Sequence, residues 1–192
     1  MTQHASHARL VAIARRTPWF MRALVAVRSL GLADWCIGAG AVRNLVWDAL
    51  HERATPSPLA DVDVAWFDAA DLSPERDAQL LRRLRAIDPA TPWEVTNQAG
   101  VHQWFERSFG HAVAPLASLE DAVASWPEFA TAVGLSLTED DAMRVIAPHG
   151  LDDLFGMVVR RNPARVSVET YRRRVEQKRY RERWPRVRVV SE

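Results

Sequence analysis

Asp61 and Asp63 stand one residue apart in the stretch ADVDVAWF, residues 60–67. In an extended strand, residues two apart share a face, so the two carboxylates point together while Val62, Val64 and Trp66 point to the opposite side. Aspartate is disfavoured in strands, and two negative charges held a few ångströms apart repel, so the pair costs stability unless a cation sits between them. Magnesium suits such a pair, because it takes carboxylate oxygens, keeps several waters and bridges to substrate phosphates. Upstream, Gly38-Ala39-Gly40 falls between an apolar segment and an amphipathic one. There, backbone amides and the positive end of a helix can hold a phosphate. Each signal also has a plainer reading: a polar strand face for the aspartates, a tight connection for the glycines. Arg43 occupies the place of the third glycine of a dinucleotide-binding fingerprint, and the chain carries no Walker A sequence.

The elements that must position these groups follow from periodicity. Apolar residues recur at helical spacing over residues 6–16 and 18–30, with Thr17 and Pro18 suited to the N-cap and first position of the second helix. DWCIG predicts a short buried strand, Gly38 to Gly40 a turn, and AVRNLVWDALHER a helix with Val42, Leu45, Val46, Ala49 and Leu50 on one face. After the loop ATPSPLA come a strand from Val62 to Phe67 and a helix in SPERDAQLLRRLRAID, with Ser73 as cap and Pro74 at its first position. WEVTN predicts a strand entering the helix QAGVHQWFERSFG, which Gly110 can end. Ser118 and Asp121 form a capping-box pattern before a short helix that ends near Trp126 and Pro127. TAVGLSL and AMRVIA around TEDD predict a hairpin. GLDDLFGMVVRRN and residues 167–183 predict helices, and WPRVRVV an extended tail.

Size and composition bound the possibilities. With 192 residues and 48% apolar content, the chain can bury a substantial core, and one domain is expected: N-terminal helices over 1–33, a central unit over 34–110, then a hairpin and basic helices over 111–192. No apolar run reaches the roughly 18 residues that span a bilayer, and the N-terminus lacks signal-peptide features. The single cysteine, Cys36, excludes an intrachain disulfide and a cysteine-built zinc site, so the expected setting is the cytoplasm, with no membrane partner. The net charge of +1 hides an asymmetry, since residues 160–188 hold 12 Arg or Lys against 3 Glu. That segment either meets phosphates or RNA, or is a solvated helix face on which Glu169, Glu176 and Glu182 pair with neighbouring arginines.

The run GAGAVRNLVWDALHERATPSPLADVDV resembles the signature of the polymerase-β-like nucleotidyltransferase superfamily: strand, glycine turn, helix, then D-x-D on the next strand. Its wording is similar to that of the tRNA CCA-adding enzymes and poly(A) polymerases, where a G-G-x-V-R-D run precedes an aspartate pair. Together with APLASLEDAVASWPEFATAVGL, APHGLDDLF, VVRRNP and KRYRERWP, it makes the chain look like a member of a small bacterial nucleotidyltransferase family of unsettled function. The resemblance implies an α+β fold, a mixed β-sheet flanked by N- and C-terminal helices. It implies Asp61 and Asp63 as catalytic metal ligands for magnesium or manganese, with Glu94 of WEVTN as the third carboxylate, completing the metal site or acting as base. It further implies a nucleoside triphosphate donor held by Gly38, Ala39, Gly40 and Arg43. Two positions depart from the pattern: Ala39 replaces a motif glycine, and Asn44 replaces an aspartate and so removes a charge.

The expected activity is transfer of a nucleoside monophosphate to a hydroxyl on a small molecule, a protein or an RNA end, with release of pyrophosphate. The alternative is a non-catalytic nucleotide- or RNA-binding protein that keeps the fold; a CCA-type enzyme would need tRNA-binding domains for which the chain is short. Arg43 is either a phosphate partner or part of a surface ion pair. His102 either reaches the site or is structural, and Asp152 and Asp153 either form a second acidic pair or favour a helix start. Asp68, of opposite strand parity, should stay outside the metal site. Trp104 and Trp184 are either core residues or platforms for a base.

Overall fold

Strand pairing sets the two acid-bearing segments side by side. The computed structural model describes residues 3–191. In chain order the elements are α1 (Gln3–Arg15), α2 (Pro18–Arg28), β1 (Trp35–Gly38), α3 (Ala39–Leu50), β2 (Val62–Trp66), α4 (Pro74–Ile87), β3 (Trp93–Asn97), α5 (His102–Phe109), α6 (Leu119–Ala124), β4 (Gly134–Leu137), β5 (Met143–Ile146), α7 (Asp152–Phe155), β6 (Val158–Val159), α8 (Val168–Lys178), α9 (Tyr180–Arg183) and β7 (Arg188–Val189). The first five strands form one mixed sheet in the order β3-β2-β1-β4-β5, in which β2 and β3 run parallel and the other pairs antiparallel. This is the α+β arrangement expected from the sequence, a mixed sheet flanked by N- and C-terminal helices. No helix among the described residues is long and apolar enough to cross a membrane.

The period-2 pattern of β2 decides how the sheet packs. Val62, Val64 and Trp66 are buried in one core cluster with Leu10, Phe20 and Leu24 of α1 and α2, Leu45 of α3, and Leu80 and Leu84 of α4. The other face belongs to Asp63 and Ala65. Ala65 pairs with Cys36 in β1 and joins Leu119, Val123 and Ile146 in a smaller cluster. The aspartate end of this face is thereby left half open.

Several local readings need correction. Thr17 and Ser73 do occupy the N-cap positions ahead of Pro18 and Pro74, as expected, but neither hydroxyl bonds to its helix: Thr17 Oγ1 donates to the Ile13 carbonyl and Ser73 Oγ to Asp71. Ser118 does cap α6, accepting from the Asp121 N–H, and Gly110 ends α5 in the left-handed region at φ 79°. The helix predicted over GLDDLFGMVVRRN is confined to Asp152–Phe155. Beyond it Met157 turns the chain at φ 53°, and the β-branched pair Val158-Val159 finds a parallel partner in Arg188-Val189. The predicted extended tail is therefore a strand of a second, two-stranded sheet. The helix expected over residues 167–183 is broken at Arg179, whose φ and ψ are both 48°, and the break redirects Tyr180 and Trp184 into the core.

Candidate active site

Parallel pairing of β2 and β3 places Asp63 opposite Glu94, and registered neighbours in a sheet project from the same face. Asp61 immediately precedes β2. All three carboxylates line a cleft of ≈ 230 Å³, together with Ala39, Gly40 and Arg43 of α3 and with Arg174 and Lys178 of α8. Asp61 and Asp63 are half-buried and Glu94 is exposed. Burial, followed by the negative charges of Asp61 and Glu94, pushes the Asp63 pKa up to about 7, against the opposing pull of Lys178 and Arg43. The repulsion expected from the sequence is present at this strand.

In place of the separate turn expected over Gly38 to Gly40, β1 runs through Gly38 directly into α3, which opens with Ala39 and Gly40, and the three residues have separate reasons for their identities. A Cβ on Gly38 would lie 2.5 Å from the Trp126 ring and 2.9 Å from the Val133 carbonyl oxygen, so Gly38 is required by packing, and it does not line the cleft. Ala39 takes φ 50°, in the left-handed region, and its N–H donates to the Val133 carbonyl. Gly40 lies in the first turn of α3, where N–H groups lack intrahelical acceptors. A Cβ there would stand 3.7 Å from both Asp61 Oδ1 and Arg43 Nη2, so the backbone turn directly faces the acids.

Arg43 belongs to no surface ion pair. It is 4% exposed, and its Nη2 donates to Asn44 Oδ1 at 2.8 Å. Its guanidinium carbon lies 5.1 Å from the Tyr180 ring centroid and 5.6 Å from those of Trp47 and Trp184, within cation–π range of all three. Its Nε is buried without a hydrogen-bond partner, and among the described residues no carboxylate pairs with it. Asn44, where an aspartate would be expected, therefore orients Arg43 without neutralising it. Trp184 is fully buried and donates to Asp48 Oδ1, so it is no platform for a base.

The sequence marked Arg174 and Lys178 only as members of a basic segment suited to phosphates, not as walls of this cleft, and gave Trp126 no part in it. Glu128, 1% exposed, accepts from Arg174 Nε at 2.9 Å and from Thr131 Oγ1 at 2.9 Å, which fixes Arg174 at the cleft. Lys178 is the only lysine in a chain with 24 arginines, a rarity that sets it apart within the basic segment. Other basic residues of the segment are tied to its own surface, as in Arg173–Glu169 and Arg179–Glu182. Asp152 and Asp153 open α7, where Asp153 pairs with Arg160. His102 and Asp68 do not line the cleft, and Trp104 is 41% exposed beside it.

Among the described residues, no group of three His, Cys, Asp or Glu side chains converges closely enough to hold a metal ion by itself. The donor set still fits a hard divalent ion: two carboxylates on one strand face, a raised proton affinity on Asp63, and a cleft open to phosphate oxygens and water.

The sequence profile of a family described as nucleotidyltransferase matches residues 25–189. The chain belongs to this nucleotidyltransferase family. A protein whose NMR structure reveals a CCA-adding enzyme head domain is 32% identical to this nucleotidyltransferase, with a TM-score of 0.80 over 95% of each chain. A tRNA-processing enzyme in an apo form is 18% identical with a TM-score of 0.51, over 87% of this chain and 41% of that one, a likeness of fold alone. No curated protein matches. The polymerase-β-like nucleotidyltransferase fold inferred from the glycine turn and D-x-D is thereby established.

Proposed function

We propose that the protein transfers a nucleoside monophosphate from a nucleoside triphosphate to a hydroxyl of an acceptor and releases pyrophosphate. The observation that supports this most directly is the juxtaposition at Gly40, where the helix turn and the Asp61 carboxylate approach one point within 3.7 Å. Anion-binding backbone and cation-binding carboxylate are both needed when a metal–triphosphate is the ligand. In this reading Asp61 and Asp63 hold magnesium or manganese, which supplies charge neutralisation and acidifies the attacking hydroxyl. Gly40 and the α3 N-terminus hold the terminal phosphates. Arg43, buried and lacking a carboxylate partner, and Lys178 offset the charge on the departing pyrophosphate. Glu94, exposed on the neighbouring strand, receives the acceptor proton. Because Arg174 and Lys178 face the cleft, part of the basic C-terminal charge is assigned to the nucleotide rather than to RNA. Residues 1–192 are taken as one unit, since the core cluster draws on residues from Leu10 to Val187.

Calorimetric titration with each nucleoside triphosphate, in magnesium and in chelator, tests the proposal. Magnesium-dependent binding that weakens at least tenfold in Asp61→Asn and Asp63→Asn is expected. Binding that ignores both the ion and the substitutions would refute it.

A further inference from the structure

Past Glu94 the cleft opens into a second lobe of ≈ 260 Å³. The two lobes share Asp63, Glu94, Trp126 and Arg174, whereas Asp61, Gly40, Arg43 and Lys178 line the first alone. The chemistry of the second lobe differs. Its own walls include Val101, Trp104, Phe105, Val166 and Arg165. Trp104 is one of three large apolar side chains exposed among the described residues, and its ring lies 6.3 Å from that of Phe105. The Arg165 guanidinium stands 5.5 Å from the Phe105 ring and donates to the Ala114 carbonyl, with no carboxylate partner among the described residues.

Displacement at the α-phosphorus places the attacking and leaving oxygens roughly in line on opposite sides. If pyrophosphate departs toward Gly40, Arg43 and Lys178, the nucleophile must approach from the side of Glu94, which is the second lobe. We infer that this lobe is the acceptor subsite and that the acceptor is a small molecule on the scale of a nucleoside monophosphate. Its flat ring lies on Trp104, its anionic group meets Arg165, and its hydroxyl reaches Asp63 and Glu94. This inference rests on the proposed transferase reading. In the step, the hydroxyl oxygen bonds to the α-phosphorus, the bond from that phosphorus to the α–β bridging oxygen breaks, pyrophosphate leaves with the electron pair, and the hydroxyl proton passes to Glu94.

Binding calorimetry with uridine 5′-monophosphate as probe tests the subsite. The first lobe is filled beforehand with magnesium and a nucleoside triphosphate analogue carrying a methylene bridge between its α- and β-phosphorus atoms. The probe is expected to bind this loaded protein. Trp104→Ala and Arg165→Gln should each weaken the probe at least fivefold, as loss of a stacking platform or of an anion partner does, and leave the analogue's affinity within twofold. No probe binding, or binding indifferent to both substitutions, overturns the inference. Trp104→Ala weakening the analogue instead would assign the lobe to the donor's base, overturning the acceptor subsite while the transferase reading stands. Failure of the analogue itself to bind would remove the transferase reading and this inference with it.

Discussion

Burial and the charges of Asp61 and Glu94 raise the pKa of Asp63 from 3.8 to about 7, so between those values the folded protein holds a proton there that the unfolded chain releases. A native state that binds more protons loses stability as pH rises. The cost therefore accumulates from about pH 4 to pH 7 and is complete above it. Asp63→Asn should be more stable than the native protein at pH 8 in chelator, by on the order of 2 kcal/mol once solvent screening of a half-buried group is allowed for. For a chain of this size that is a rise of roughly 4–8 °C in melting temperature. The difference should shrink below pH 4 and on adding magnesium. Equal melting temperatures at pH 8 would show that Asp63 bears no such electrostatic load.

The junction of β1 and α3 gives three neighbouring substitutions three different outcomes. Gly38→Ala forces a methyl group against Trp126 and the Val133 carbonyl and should cost about 1–3 kcal/mol. Ala39→Gly relieves a side chain held at φ 50° and should stabilise by about 0.5–1 kcal/mol. Gly40→Ala meets nothing closer than 3.7 Å, so it should fold normally yet weaken triphosphate binding severalfold. Thermal melts paired with nucleotide titrations separate the three, and a strongly destabilised Gly40→Ala would contradict the open space found there. The succession of β1 and α3, the D-x-D strand and the hairpin were legible because their signals lie within a few residues of one another. Trp126 above Gly38 and the aromatic box around Arg43 were not, because chain-distant segments build them; 136 positions separate Trp184 from Asp48. Val158-Val159 was misread because a short apolar run suits helix or strand equally, and its partner, Arg188-Val189, lies elsewhere in the chain.

The C-terminal segment returns across the whole protein to finish both core and cleft. Trp184 packs edge-on against Trp47 at 5.2 Å between ring centroids, and with Ser57 it satisfies the Asp48 carboxylate. Trp184→Ala should cost about 3–5 kcal/mol and, by opening the box around Arg43, weaken nucleotide binding as well. Trp184→Phe keeps a ring and loses one hydrogen bond, so chemical denaturation should show a loss closer to 1 kcal/mol. Losses of equal size would mean that the bond to Asp48, not the ring, holds the segment in place. The left-handed break at Arg179, which turns Tyr180 and Trp184 inward, also bears on synthesis. A growing chain leaves the ribosome N-terminus first, so the acidic strands can pair while two of the three rings around Arg43, those of Tyr180 and Trp184, have still to be translated. A nascent chain paused before Tyr180 would already carry every charge of the cleft but leave Arg43 with only Trp47 of its three rings, and the aromatic box closes only once Trp184 has cleared the exit tunnel.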